Sequence, residues 1–372
     1  MAKERRSEAI WVETRERWQI NVQRDGKRKT FTSSIPGRRG KHEAEEKADE
    51  WLDAGQPEDM RFDAAWALYL DHVRRNTGTA NARDIECIGR NWLLDTNEKR
   101  RLSSKRLSRI YLKDLQDIIS DAGEMGRSKR TCKNIKDKLS GFFRFAKDHG
   151  WGYSVDPQRI KLPTQARAAS RNVIQPDKLR GLFSDPVITR HGIPVTAPYI
   201  HAFRLLVVIG CRSGELCGLT SNDYDGTYLT IRRSINKYYE ATPGKTENAQ
   251  RKILLPERAK AILADQAAML HDMGIRSDYL FPRTDGSFSA PPDLSNHWRT
   301  YSSQHGIDCS IHELRHTFVS MMNTNLPSAL LKDIIGHSAA MDTDGVYGHE
   351  IDGDKQRAAQ IIDAVFARHL QD

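Results

Sequence analysis

Apolar residues recur three and four apart through most of the chain and alternate in only a few places, so mainly helical units with a little sheet are expected. The first alternation runs from Ile10 to about Thr32: Trp18, Ile20 and Val22 share one face, Asp25-Gly26 has the composition of a tight turn, and Phe31 anchors a return strand. After Pro36-Gly37, the positions Ala44, Ala48, Trp51 and Leu52 fall at helical spacing from Lys41 to Ala54. A three-stranded sheet covered by one helix is the expectation for residues 1–56. Four helices are expected across residues 60–156. The first carries Phe62, Trp66, Tyr69, Leu70 and Val73, and the second runs from about Arg83 to Leu94 with Ile85, Ile88 and Trp92. After a polar, basic loop from Asp95 to Arg106 come Leu112 to Ala122 and Ser128 to Asp148, the last with Ile135, Leu139, Phe142, Phe143 and Ala146 inside.

Residues 157–172, PQRIKLPTQARAASRN, show no periodicity and read as an exposed basic linker. A third unit, 173–372, opens with a helix starting near Pro176-Asp177. Within residues 205–219, LLVVIGCRSGELCGL, an apolar helix ends at Gly210, Arg212 follows, and a new helix begins near Glu215. Tyr228 to Arg232 reads as a strand and residues 244–255 as a hairpin with a polar tip. A helix from His312 to about Asn323 would pack Leu314, Phe318 and Met321 and leave His312, Arg315, His316 and Val319 on the other face. Asn325 and Pro327 restart a helix as cap and first-turn proline, and Gly336 stops it, so that His337 sits just past a helix end. Tyr347 follows in a segment with Asp342, Asp344 and Gly345 and little apolar surface. Finally Ala358, Ile361, Ile362, Val365, Phe366 and Leu370 make an apolar stripe after an Asp352-Gly353-Asp354 hinge. It suits a helix packed on its own unit or on a neighbouring copy, and the pattern alone does not choose.

Composition narrows the function. The 372 residues carry a net charge of +9 and a pI near 9.2, which favours a polyanionic partner without specifying one. The basic residues Arg24, Lys27, Arg28 and Lys29 flank the first turn, and Lys129, Arg130, Lys133 and Lys136 crowd the start of the last helix of the second unit. Either group is a solvated face or a DNA contact, and a basic two-stranded ribbon has the dimensions to enter a major groove. Five cysteines, scattered and without paired spacing, argue against a disulfide framework and a zinc site. No apolar leader and no membrane-length run is present, so a soluble protein that is not exported is expected, and no cofactor is called for.

The motifs HELRHT, IGHS and GVYGH, in that order, resemble the carboxy-terminal signature of the tyrosine recombinases, the phage and transposon integrases, with Ile335 where leucine is usual. The upstream Gly-x-Arg-x-x-Glu-Leu, Gly210 to Leu216, resembles the family's first arginine box. The resemblance implies a catalytic set of Arg212, Lys245, His312, Arg315, His337 and the nucleophile Tyr347, without a metal. Lys245 takes its place from the family pattern, since Lys237 and Lys252 compete with it on residue type alone. Such a set suits phosphodiester exchange. Guanidiniums match phosphate oxygens and keep their charge, and a tyrosine near pKa 10 needs a base to attack. His312 would be that base, His337 a further donor to the oxygens and Lys245 the acid for the 5′ oxygen.

By layout the resemblance also implies an arm-type DNA-binding domain at 1–56, a helical, SAM-like core-site DNA-binding domain at 60–156 and a mixed α+β catalytic domain at 173–372. The implied partners are double-stranded DNA attachment sites, a homotetramer that exchanges its carboxy-terminal helix and passes through a Holliday junction, an excisionase and a host DNA-bending protein, in the nucleoid of a bacterial cytoplasm. A phage or a conjugative transposon is the mobile element expected. A type IB topoisomerase and a non-catalytic DNA-binding regulator of the same fold are the alternatives. The separate amino-terminal ribbon with a tail beyond Tyr347 argues against the first, and the full set of six residues against the second.

Overall fold

The computed structural model describes residues 7–371 except 25, 54–58, 97–98, 100, 154, 165–171, 244–249 and 337–352, and within helices and strands it describes all side chains but those at 24, 27, 53 and 243. It divides into two compact units, Met1–Ala168 and Ala169–Asp372.

The first unit begins with an antiparallel sheet of β1 (Ile10–Val12), β2 (Arg17–Arg24) and β3 (Lys27–Ser33), in that spatial order. Ile20 pairs with Phe31, and alternation places Ile20 and Val22 inward against α1 (Gly37–Asp53). Ala44 and Ala48 are fully buried there, small enough to let the helix lie close to the sheet. The helix starts at Gly37, earlier than the expected Lys41, because the chain doubles back at once: a Cβ on Gly40 would fall 1.6 Å from the carbonyl oxygen of Ile35.

Four helices follow: α2 (Phe62–Asn76), α3 (Thr79–Ile88), α4 (Leu112–Glu124) and α5 (Lys129–Asp148). The second was expected to run to Leu94; it ends at Ile88 and a single π turn, Gly89–Leu93, continues to bury Trp92 and Leu93. Phe62, Trp66, Tyr69 and Phe142 pack ring on ring at 4.9 to 5.8 Å, and each such ring contributes roughly 2–3 kcal/mol by leaving water. Ser128 caps α5, its Oγ accepting from the backbone N–H of Thr131 at 3.2 Å.

The second unit is built round α7 (Ile200–Ile209), which is buried on nearly every side, its Arg204 donating to the carbonyls of Leu182 and Phe183. Before it come α6 (Pro176–Ser184) and a hairpin, β4 (Val187–Arg190) and β5 (Ile193–Thr196); after it come α8 (Ser213–Cys217), β6 (Tyr228–Ile231), β7 (Arg233–Ile235), β8 (Ala241–Pro243) and β9 (Arg251–Leu254). The helices α9 (Glu257–Asp272), α10 (Pro291–Gln304), α11 (Ile311–Met322), α12 (Ser328–Ile335) and α13 (Asp354–Leu370) complete it. Of the hairpin expected over residues 244–255, 244–249 lie outside the described residues. β9 pairs with β6 and β8 with β7, in a register that sets Leu229 opposite Ile253 and Ile231 opposite Arg251, so that the buried positions share one face.

The restart of the chain after α11 also differs in detail from expectation. Pro327 is itself the residue before the first turn of α12, and the Asn325 amide donates back to the Met321 carbonyl at 2.7 Å instead of capping forward. The apolar stripe of α13 packs in its own unit: Ile362, Val365 and Phe366 are at most 2 % exposed, and the helix touches α6, β9, α9, α11 and α12. Exchange of this helix with a neighbouring copy was the expectation; within the single chain its apolar stripe is met by surfaces of its own unit. Among the described residues no helix is long and apolar enough to cross a membrane.

Candidate active site

Three arginines from three elements converge on the end of one helix. Arg315 comes from α11, which buries Ile311, Leu314, Phe318 and Met322. The face of α11 expected to be open is therefore only partly so, because Arg315 is 5 % exposed while His312 is exposed and His316 lies between. What covers Arg315 is backbone: its Nη1 donates to the carbonyls of Gly210, at 2.7 Å, and Ile335, at 2.8 Å. Its Nη2 is buried with no hydrogen-bond partner among the described residues. Burial, then the neighbouring charge of Arg212, lowers the Arg315 pKa to about 10, so it stays a cation at neutral pH.

Gly210 makes this approach feasible. It ends α7 in the left-handed region at φ 62°, and a Cβ there would sit 2.2 Å from the Phe318 ring. The turn it makes leads to Arg212, an extended residue at the start of α8. Glu215 reaches back: its Oε2 accepts from the Arg212 backbone N–H at 2.9 Å and its Oε1 from Arg212 Nη1 at 2.7 Å. Arg212 Nη2 donates to the Gly336 carbonyl at 3.1 Å, and the side chain remains 42 % exposed.

The third arginine escaped the sequence reading. Arg251 on β9 is buried; its Nε donates to the Ile334 carbonyl at 2.7 Å, and Nη1 and Nη2 donate to Glu215 Oε1 and Oε2 at 3.2 and 2.9 Å. The available signal was alternation, since Arg251 and Ile253 share the inward face of the strand. Burial alone would push the Glu215 carboxyl up, but the hydrogen bonds and charge of Arg251, with those of Arg212, outweigh it and hold its pKa below the ordinary value.

The carbonyls of Ile334, Ile335 and Gly336, which have no partner inside α12, thus accept from Arg251, Arg315 and Arg212 in turn. The negative end of the helix dipole adds to the attraction. His312 stands at the rim, edge-on to His316 with ring centroids 4.9 Å apart. Desolvation, then the charges of His316, Arg315 and Arg212, lowers its pKa, which favours the neutral imidazole that can accept a proton. With one carboxylate among three guanidiniums, the cluster carries surplus positive charge and a buried, unpartnered N–H donor, the attributes of an oxyanion site.

Of the six residues singled out from the sequence, Arg212, His312 and Arg315 come together here; Lys245, His337 and Tyr347 lie outside the described residues. Of the rival lysines, Lys237 is exposed on the turn between β7 and β8, its Nζ 5.0 Å from the Tyr238 ring centroid. Lys252 lies on the outward face of β9, 3.2 Å from Asp225 and over the Tyr228 ring, opposite in direction to Arg251. In the first unit Arg28 and Lys29 are exposed, the latter 5.1 Å from the Phe31 ring centroid, whereas the side chains of Arg24 and Lys27 lie outside the described residues. Lys129, Arg130 and Lys133 are exposed, Lys133 paired with Asp137 at 2.6 Å. Lys136 is engaged within the fold, donating to the carbonyls of Gln158 and Ile160 at 2.9 and 2.7 Å.

Residues 189–353 match the phage integrase family. The chain is 23 % identical, over 93 % of its own length and 95 % of the relative's, to a XerC-like tyrosine recombinase of Caldanaerobacter subterraneus subsp. tengcongensis. The fold is that of solved integrases. A fragment of the Tn1549 transposon integrase in complex with transposon right-end DNA superposes with a TM-score of 0.63 at 21 % identity, covering 81 % of this chain and 99 % of that one. The lambda integrase tetramer bound to a Holliday junction gives 0.56 at 16 % identity, covering 94 % and 99 %.

Proposed function

We propose that the protein is a site-specific DNA recombinase that integrates or excises a mobile element through a 3′-phosphotyrosyl intermediate. The observation that carries this reading is the arginine cluster: Arg212 and Arg315 are held beside one another, with a buried donor on Arg315 that has no partner among the described residues. A phosphodiester placed there takes its non-bridging oxygens to the two guanidiniums, where the charge that builds in the transition state is met by donors already oriented. His337 adds a further donor. Tyr347 attacks phosphorus as His312 accepts its proton, and the bond to the 5′ oxygen breaks with a proton from Lys245. The 5′ hydroxyl of a second duplex reverses the step without ATP, since the phosphotyrosyl ester conserves the bond. The likeness to a tetramer bound to a Holliday junction supports assembly of four copies on paired attachment sites, with double-stranded DNA held by both amino-terminal regions. The basic surfaces round Arg28 and Lys129 are the proposed DNA contacts of those regions.

The test uses a duplex spanning the element's own junction, nicked so that the 5′ hydroxyl fragment diffuses away after cleavage. A covalent adduct is expected on Tyr347 by peptide mass spectrometry and none with Tyr347→Phe. An adduct on Tyr238 or Tyr301, or cleavage by the Tyr347→Phe protein, would overturn the assignment.

A further inference from the structure

Every donor nitrogen of the Arg251 guanidinium has a partner: Ile334 on one side and both oxygens of Glu215 on the other. An ion pair this deeply buried adds little stability, because desolvating two charges offsets most of their attraction. What it does determine is geometry. Glu215 is shared, Oε1 and Oε2 each accepting from both Arg251 and Arg212, so the position of its carboxylate sets the direction of the Arg212 guanidinium. The same Arg251 holds the α12 carbonyl next to those that Arg315 and Arg212 hold. Gly336 passes so close that a Cβ there would lie 2.6 Å from Arg251 Nη1.

We infer that Arg251 is a positioning residue for strand cleavage: through Glu215 and the end of α12 it aims Arg212 at the scissile phosphate without touching the DNA itself. This rests on the recombinase reading of the same site. Glu215 faces Arg212 at the start of α8, Arg251 from β9, Arg315 from α11 and the Cys211 thiol from the turn between α7 and α8. Burial pushes the carboxyl up and Arg251 is first among the groups that pull it down. Without Arg251 the carboxyl takes up a proton at higher pH, and the neutral acid no longer fixes Arg212.

The experiment follows single-turnover cleavage by the full chain on the nicked junction duplex, at saturating DNA and across pH. Arg251→Met is expected to cleave roughly 10- to 100-fold more slowly at neutral pH with DNA affinity unchanged, the scale of losses when outer residues stop orienting inner ones. Its rate should fall further toward acid through a titration absent from wild type. That limb should vanish in Arg251→Met with Glu215→Gln, because nothing is left there to titrate. Arg251→Lys keeps a charge but not the fork, so it should be slow without the acid limb. A folded Arg251→Met with the rate and pH profile of wild type overturns the inference, as does a loss of cleavage that only tracks lost DNA binding. If Arg251→Met melts below the assay temperature, Arg251→Lys decides: wild-type rate rejects the positioning role, and a slow, well-folded protein supports it. A wild-type protein that leaves no adduct on this DNA brings down the recombinase reading itself, a failure separate from any difference between variants.

Discussion

At Gly210 two requirements meet, a left-handed backbone and a ring from a distant helix pressed against Cα. Gly210→Ala should cost roughly 2–5 kcal/mol, combining strain at positive φ with overpacking against Phe318. Urea unfolding measures it. Phe318→Leu in the same chain should recover the packing part and not the backbone part, whereas a loss under about 0.5 kcal/mol would mean that the turn yields without strain. The sequence made Gly210 readable as a helix stop, since it follows an apolar run. It could not show why alanine fails, because Phe318 enters only through the fold. The arginines divide in the same way. Arg212 and Arg315 stood out by their boxes, but the burial of Arg315 depends on two carbonyls it meets in three dimensions. Arg251 passed for one more charge in a polar stretch because its partner, Glu215, is 36 positions away.

Among the elements, α13 separates what periodicity tells from what it does not. The spacing of Ala358, Ile362, Val365 and Phe366 defines a face, and a face has no address until another surface meets it. The structure supplies that surface from its own unit, so Ile362→Asp with Phe366→Asp places two carboxylates where the native side chains are 2 % and 0 % exposed. Each should cost about 3 kcal/mol or more. The free monomer is expected to lose the cooperative melt of its second unit before any DNA is added. Calorimetry that shows the variant melting like wild type, with only synapsis lost, would instead favour helix exchange. The strand pairing of β6 with β9 was illegible for a related reason: contiguous residues suggested a local hairpin, while the buried alternation of Leu229 and Ile231 needed a partner from beyond β8.

Across the whole molecule the helices of the first unit and the boxes that bring Arg212, His312 and Arg315 together were readable from spacing, whereas the β4–β5 hairpin, α9, α10 and the pairing of strands were not. One property belongs to no single element. His201, His297 and His312 all have pKa values below the ordinary 6.5, each lowered first by desolvation. As pH falls through 6.5 the unfolded chain binds these protons before the folded one does, so stability is retained above that value and declines below it. The urea midpoint should therefore drop between about pH 7.5 and about pH 5.5, and a midpoint that holds or rises would mean that these imidazoles gain carboxylate partners. A different constraint on the chain comes from the helix end held by three guanidiniums. An added or deleted residue within α12 would turn its last carbonyls by about 100° and shift them by about 1.5 Å, and each arginine would meet its neighbour's acceptor or none. Substitutions on the outer side of α12 leave that alignment alone. Between Pro327 and Gly336 divergence can therefore change the letters of the chain but not their number.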